Sequence, residues 1–144
     1  MSVTLGETTA GYSKKSLVDK LGIKAGHKIC FANAPKNYGD TLGQLPPDVW
    51  VEQNPAADLD FVQYFTKSQA EVEAQFPALK QAIAQTGMLW ICWPKKTTKI
   101  ETDVSGAVVR EIGLANGLVD VKICAVDETW LGLKFVYRVK DRRK

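Results

Sequence analysis

The stretch MLWICWPKK, residues 88–96, sets the fold class of this chain. Six consecutive apolar residues are followed by Pro94 and then by two lysines. A run that is apolar throughout, rather than alternating, is typical of a strand covered on both faces, as in a parallel sheet. Proline has no amide hydrogen to donate, so Pro94 is expected to end the strand. Lys95 and Lys96 are therefore predicted to lie at the carboxyl edge of a parallel sheet.

Three earlier segments are also predicted to be strands. KICFA, residues 28–32, is a continuous apolar run after Lys28 and follows the polar turn KAGHK. VWVEQ, residues 49–53, is a weaker candidate, and LDFVQYF, residues 59–65, is the third. We expect these segments to form a sheet with residues 88–93.

Two helices are predicted between these strands. Ser16 and Gly22 are the cap and the stop of a short helix. Ser68 and Glu71 form a capping pattern at the start of a longer helix, which we expect to close at Thr86 and Gly87. Within it, Pro77 predicts a kink or two abutting pieces.

The last third of the chain is predicted to form one helix and two antiparallel strands. The helix is expected to be capped by Thr102 or Asp103, to end at Asn116 and Gly117, and to present on one face Val104, Val108, Ile112 and Ala115. The segments VDVKICAVDE and LGLKFVYRV follow, joined by the short return DETWLG. Alternating residues of the second segment predict one better-buried face, made of Leu131, Leu133, Phe135, Tyr137 and Val139.

The formal charge of +3 comes from the carboxyl-terminal tail, residues 140–144. The rest of the chain balances its basic and acidic residues, whereas a nucleic-acid-binding domain usually carries a basic face on the fold itself. We therefore expect the tail, KDRRK, to be solubilising. Nucleic-acid binding through it is the weakest of the functional hypotheses.

The chain length of 144 residues predicts a single domain, with a core at about residues 16–139 and a flexible segment at residues 1–10. The first residues, MSVTLGETTAGYSKK, contain no apolar signal region, and no later run approaches the roughly 18 apolar residues of a spanning helix. We expect a cytoplasmic protein with no membrane partner.

The cysteines and the histidine predict neither a disulfide framework nor a metal site. Cys30, Cys92 and Cys124 are far apart, and each lies in an apolar, strand-like run. We expect buried, reduced thiols. The one histidine, His27, lies in a polar turn and is expected to be exposed.

Strands alternating with helices predict an α/β fold with right-handed crossovers. The order, in which a last parallel strand returns through an antiparallel one, resembles the Rossmann-like fold of S-adenosylmethionine-dependent methyltransferases over roughly residues 16–139. We therefore expect a compact three-layer sandwich with a mostly parallel sheet that ends in an antiparallel strand. This resemblance carries no catalytic motif with it.

Two connections depart from the methyltransferase pattern, so we expect a truncated version of its topology. The turn after the first strand, NAPKNYGDTLGQLPPD, has glycines only at Gly39 and Gly43 and has Pro35 where close backbone approach to a cofactor would be needed. The link NPAAD is too short for a crossover helix, so a strand and its helices are expected to be missing. Glu52 lies at the end of the second strand, where such folds place an acid on the cofactor ribose.

The chain also resembles a family of small bacterial proteins, domain-of-unknown-function family 3052, nearly from end to end. The resemblance is carried by WPKK, TLGQLP and GLVDVKICAVDETWLGLKFVYR. The recurrent motifs of the family fall on Gly11 and Tyr12, Lys20 to Ile23, Asn33 to Pro35, Trp93 to Lys95, Asp103, Arg110, and Lys122 to Trp130. Leu131 departs from the small polar residue common there. The resemblance implies a bacterial cytosolic protein and no assigned reaction.

The carboxyl edge of the sheet is the expected ligand site, because open α/β sheets bind ligands there. The strand-end residues gathered at this edge are Asn33, Lys36, Glu52, Thr66, Lys95, Lys96, Asp127 and Glu128. One hypothesis is a partly exposed ion pair between Lys95 and Asp127, with Trp93 and Trp130 as rim packing. The other is a pocket for an anion or a small polar ligand, in which Lys95 and Arg110 supply positive charge, Asp127 orients the ligand and the tryptophans form an apolar wall.

The candidate ligand-binding residues are Asn33, Pro35, Trp93, Lys95, Arg110, Asp127 and Trp130, with Glu52 added under the cofactor alternative. No nucleophile stands beside a base and no phosphate loop is present, so we assign no catalytic residue, no metal and no cofactor. The main hypothesis is a Rossmann-like protein, non-catalytic or catalytically degenerate, that binds a small polar or anionic ligand or a protein partner at the carboxyl edge of the strands. The alternative is a minimal or degenerate methyltransferase-like enzyme. The sequence does not identify the oligomeric state.

Overall fold

The computed structural model describes residues 15–142, which form a mixed α/β fold. The elements, in chain order, are α1 (Leu17–Leu21), β1 (Lys28–Ala32), α2 (Tyr38–Leu42), β2 (Trp50–Glu52), β3 (Leu59–Phe65), α3 (Gln69–Ala82), β4 (Ile83–Pro94), α4 (Gly106–Ala115), β5 (Leu118–Ala125), β6 (Trp130–Tyr137) and a 3-10 turn (Val139–Asp141). Among these residues, no helix is both long enough and apolar enough to cross a bilayer.

The six strands form one sheet in the order β2-β1-β3-β4-β6-β5. Strands β1 to β4 pair with one another in parallel, whereas β6 runs antiparallel to both β4 and β5. The predicted mostly parallel sheet that ends in an antiparallel strand is confirmed, and the structure inserts that strand, β6, beside β4.

Helices cover both faces of the sheet, which gives the expected three-layer Rossmann-like sandwich. On one face α3 and α4 bury Phe76 and Val109 against the sheet, and on the other α1 and α2 bury Leu21 and Leu42. Strand β3 serves both cores, because alternate residues of a strand point to opposite faces. This double burial explains why the interior strands are apolar throughout.

The crossover regions beyond β1 and β2 are as short as predicted. Helix α2 has five residues, and the chain between Glu52 and Leu59 contains no helix. Strand β2 is consequently an edge strand, and the side chains of Trp50 and Val51 are 65% and 50% exposed. The fold is therefore truncated on the β2 side.

The boundary between helix α3 and strand β4 lies at an earlier residue than the sequence predicts. The helix continues through Pro77 as one piece, so the prediction of two pieces is wrong, and it ends at Ala82 rather than at Thr86. Residues 83–87 instead extend β4, where the pairing with β3 is irregular. A Cβ at Gly87 would lie 2.6 Å from the Leu59 carbonyl oxygen, so this glycine permits close strand approach rather than ending a helix.

Helix α4 begins later than predicted. Its N-cap is Ser105, whose side chain accepts a hydrogen bond from the Val108 amide. The predicted caps are used elsewhere: the Thr102 hydroxyl donates to the Lys67 carbonyl, and the Asp103 carboxylate accepts from the Gln69 amide at the start of α3. Both side chains therefore join the α4 entry loop to α3.

The buried face of α4 also differs from the prediction. It contains Val109 and Gly113, with Ile112 packed beside them, whereas Ala115 is exposed. A Cβ at Gly113 would lie 2.1 Å from the Phe135 ring, so the helix packs against β6 through a glycine. Sequence periodicity favours large apolar residues and therefore misses this contact.

The ends of the chain fall partly outside the described residues. The predicted flexible segment, residues 1–10, and the motif residues Gly11 and Tyr12 lie outside them, as do the last two residues of the basic tail. Strand β6 ends at Tyr137, and Val139 is 77% exposed in the 3-10 turn, so its predicted place on the buried face is wrong.

Replacing Gly113 with alanine is expected to lower the free energy of unfolding by about 1–3 kcal/mol, because the new methyl group would overlap the Phe135 ring in a filled core. Urea denaturation followed by circular dichroism measures the change. Gly106→Ala is the matched control in the same helix, since its Cβ would meet only Trp93, at an ordinary 3.5 Å. Equal stability of the two variants would contradict this account of the packing.

Candidate functional site

The parallel strands end at one edge of the sheet and place their following loops together. Strands β1, β2, β3 and β4 end at Ala32, Glu52, Phe65 and Pro94, and the β5–β6 turn lies at the same edge because β6 pairs Trp130 with Pro94. In open α/β sheets this edge is where ligands bind. The predicted site residues do not all lie together at this edge.

The loop after β1 has an unusual backbone. Asn33 and Asn37 are in the left-handed region, with φ of 58° and 63°, a conformation that asparagine tolerates better than most residues. Between them, the Pro35 carbonyl accepts a hydrogen bond from the Tyr38 amide at 3.2 Å. The loop thus turns within five residues, and Asn33 is exposed while Pro35 is half-buried.

Glu52 is the last residue of β2 and pairs with Cys30 of β1. It is half-buried at the carboxyl edge. Burial raises the pKa of the Cys30 thiol, and the negative charge of Glu52 raises it further. The carboxylate therefore lies close enough to the end of β1 to act on groups there.

Lys95 is anchored by its backbone to the turn between β5 and β6. Its amide donates to the Thr129 carbonyl at 2.8 Å, directly after the last pair of the β4–β6 ladder. The residue is half-buried, and within residues 15–142 its ammonium group has no hydrogen bond or ion pair. The charge of Lys95 is thus available to a ligand.

Within residues 15–142, Asp127 forms no ion pair with Lys95, so the predicted ion pair is wrong, whereas the orienting role of Asp127 toward a ligand stays a prediction. One oxygen of its carboxylate accepts hydrogen bonds from the Thr129 and Trp130 amides, at 2.8 and 2.9 Å. This is the arrangement in which an aspartate closes a tight turn through its own backbone neighbours. Asp127 therefore shapes the β5–β6 turn.

Trp130 and Arg110 lie apart from Trp93 and Lys95, contrary to the single pocket predicted. The Trp130 ring packs edge-on against Phe65 in the core beneath α1 and α2, with ring centroids 5.2 Å apart. Trp93 belongs to the core beneath α3 and α4. Arg110 forms an exposed ion pair with Asp120 at 3.2 Å.

A cavity of about 560 Å³ lies between the end of β4, the start of α4 and the strands β5 and β6. We call it the β4–α4 cavity. Its apolar walls are Trp93, Val104, Ile123 and Leu131, and its charged residues are Lys95 and Lys96. The first turn of α4, with Ser105, Gly106 and Ala107, closes one side. Of these residues, the sequence identified Trp93 and Lys95 as ligand-binding, and placed Lys96 at the edge, but missed the α4 contribution.

A chain of buried polar groups links helix α2 to strands β3 and β4 below this edge. The Tyr38 hydroxyl donates to the Gln63 side-chain oxygen at 2.7 Å, and the Gln63 amide nitrogen donates to the Cys92 sulfur at 3.3 Å. Burial raises the pKa of the Cys92 thiol to about 12. Cys30 and Cys92 are buried free thiols as predicted, whereas Cys124 is only half-buried.

Comparison with solved structures identifies the fold. The chain is similar to a SAM-dependent methyltransferase from Aquifex aeolicus, with a TM-score of 0.58 and 14% identity over 83% of this chain and 86% of that one. It is also similar to a precorrin-6y C5,15-methyltransferase from Geobacter metallireducens, with a TM-score of 0.60 and 11% identity over 85% and 86%. A third match is a DhpI complex with S-adenosylhomocysteine, with a TM-score of 0.59 and 13% identity over 85% and 83%.

These identities show a shared fold and leave the reaction open. No family model matches the sequence, and no curated protein matches it. The resemblance to domain-of-unknown-function family 3052 stays a prediction.

Replacing Asp127 with alanine is expected to cost about 1 kcal/mol of unfolding free energy, because the Thr129 and Trp130 amides lose their shared acceptor. Urea denaturation measures the loss. Glu128→Ala, at the next and exposed position, is the control and should leave stability unchanged. A destabilisation of the control as large as that of Asp127→Ala would refute this role in the turn.

The raised pKa of Cys92 predicts that stability falls as pH rises above about 8.5, where the thiol ionises in the unfolded chain but not in the folded one. Between about pH 8.5 and 12 the folded state then binds more protons, so alkali favours unfolding. Urea denaturation at a series of pH values should show a shallower alkaline loss for Cys92→Ala than for the unsubstituted chain. Parallel pH profiles for the two proteins would rule out Cys92 as a source of the pH dependence.

Proposed function

We propose that this chain is a degenerate methyltransferase-like protein that binds an S-adenosyl nucleoside at the carboxyl edge of β1 and β2. The observation that carries the proposal is Glu52, a half-buried carboxylate at the end of β2 beside β1. In Rossmann-type folds an acid at this position accepts hydrogen bonds from the ribose hydroxyls of the cofactor. The similarity of the whole fold to S-adenosylmethionine-dependent methyltransferases supports the same choice of ligand.

The loop after β1 fits such a ligand in part. The left-handed residues Asn33 and Asn37 let the chain turn sharply without the usual glycines. Pro35, however, offers no amide hydrogen, and α2 is too short to present a helix dipole to an anion. Recognition is therefore expected to depend on Glu52 and on the side chain of Asn33 more than on the backbone.

The β2 side of the site lacks a wall. The short chain between β2 and β3 leaves β2 at the sheet edge, so the base of a bound nucleoside would lie against an open strand. A ligand that the protein contacts on fewer sides buries less of its surface on binding, which favours weak binding. We expect affinities in the micromolar to millimolar range.

The chain's own residues favour binding over methyl transfer. Bound S-adenosylmethionine would supply an electrophilic methyl group, and transfer would need a polar group that positions the acceptor at the end of β3. Thr66, which occupies that position, is 4% exposed, and its hydroxyl donates to the Glu71 carboxylate at 2.6 Å. The Thr66 hydroxyl is therefore already hydrogen-bonded at the start of α3. This agrees with the hypothesis of a ligand-binding protein that is not an enzyme.

Calorimetric titration with S-adenosylmethionine and S-adenosylhomocysteine tests the proposal. Binding of either ligand is expected, and Glu52→Gln should weaken it about tenfold, because a hydrogen bond to a charged acceptor contributes about 1.5–3 kcal/mol. Glu101→Gln is the control, since this exposed carboxylate lies in the loop before α4. Absence of heat at millimolar ligand, or equal affinity for Glu52→Gln and the unsubstituted chain, would reject the proposal.

A further inference from the structure

We propose that the β4–α4 cavity is a second, independent binding site, and that its ligand is a small organic acid with a flat apolar body and one carboxylate. The cavity volume of about 560 Å³ is within the range of about 300–1,000 Å³ that is typical of small-molecule sites. One half of the cavity is apolar and corresponds to the flat apolar body of such a ligand. The other half is positively charged and corresponds to its carboxylate.

The apolar half is built from two core residues, the half-buried Leu131 and one exposed residue. Trp93 and Val104 are 3% and 6% exposed, so the surrounding core holds their side chains in place. Ile123 of β5 is 59% exposed at the rim, where a ligand would cover it. A ligand with an apolar ring would cover the exposed side chain of Ile123 and the accessible part of the Trp93 ring. Removing this apolar surface from water favours its binding.

The polar half carries positive charge without a partner. Lys95 and Lys96 line the cavity, and within residues 15–142 neither ammonium group has an ion pair or a hydrogen bond. The hydrogen bond from the Lys95 amide to Thr129 holds the backbone of this segment in place. A carboxylate in the cavity would therefore meet two unpaired ammonium groups beside apolar walls, and could accept a charge-assisted hydrogen bond from them.

The start of α4 adds to this polarity. Ser105 caps the Val108 amide, while helix geometry leaves the amides of Gly106 and Ala107 without partners inside the helix. Both residues line the cavity, whereas the two acids of the entry loop, Glu101 and Asp103, do not line it, and Asp103 is bound to the α3 amide of Gln69. The cavity lining contains two lysines and no acidic residue, so it selects anions over cations.

The test compares three probes that share one ring: indole-3-acetate, neutral indole and the cation tryptamine. Protein-observed NMR titrations of the full chain should show indole-3-acetate shifting the resonances of residues around the cavity. Tryptamine should bind at least about tenfold more weakly, because its ammonium would face Lys95 and Lys96. Equal affinity for the acid and the amine would overturn the proposed charge selection.

Three variants locate the site. Lys95→Gln should weaken indole-3-acetate about tenfold, and Ala107→Phe, which fills the cavity from an exposed helix position, should abolish binding. Lys99→Gln is the matched control, because this exposed lysine lies in the same loop and does not line the cavity. Unchanged affinity in both Lys95→Gln and Ala107→Phe would overturn the site, as would a Lys99→Gln effect equal to that of Lys95→Gln.

This site and the nucleoside site are tested separately. Glu52→Gln should leave indole-3-acetate affinity unchanged, and Lys95→Gln should leave S-adenosylhomocysteine affinity unchanged. Loss of indole-3-acetate binding in Glu52→Gln would mean that the cavity is not an independent site. A failure to bind S-adenosyl ligands does not affect the cavity, since the two sites share none of the residues on which they rest.

Discussion

Strand β4 is paired on both edges and covered on both faces, and the rest of the molecule depends on its register. It runs parallel to β3 and antiparallel to β6. The Trp90 indole donates to the Leu21 carbonyl of α1 at 2.9 Å, while Leu89 and Ile91 face the core beneath α3 and α4. A slip of one residue would exchange these two sets of side chains, so burial on both faces specifies the register strongly.

The register of β4 also separates the two tryptophans that the sequence groups together. Trp93 pairs with Leu131 of β6, and paired residues share a face of the sheet. Trp130 immediately precedes Leu131 in β6 and therefore points to the opposite face. The sheet itself thus divides the predicted pocket in two, placing Trp93 in the β4–α4 cavity and Trp130 against Phe65.

Much of the fold could be predicted because local patterns and tertiary packing agree for most elements. The bounds of β1 and β3 and the caps of α1 match the sequence prediction. The prediction of element boundaries failed where the same residue type is compatible with two local structures. Gly87 can stop a helix or admit a close strand, and here β3 lies too near for any side chain. Thr102, Asp103 and Ser105 can all cap a helix, and packing against α3 engages the first two.

The candidate site was predicted only in part, for a related reason. The sequence by itself determined the fold class, the position of Lys95 and Glu52 at the carboxyl edge of the sheet, and the short connections around β2. These features follow from apolar runs, from a proline and from the number of residues between strands, all of which are local properties of the sequence. Only the tertiary structure decided which polar groups remain free to bind. Asp127 satisfies two amides of its own turn and Arg110 pairs with Asp120, whereas Lys95 lies beside a cavity and its ammonium group has no partner within residues 15–142. Hydrogen bonding and pairing depend on three-dimensional neighbours, which spacing along the chain does not specify.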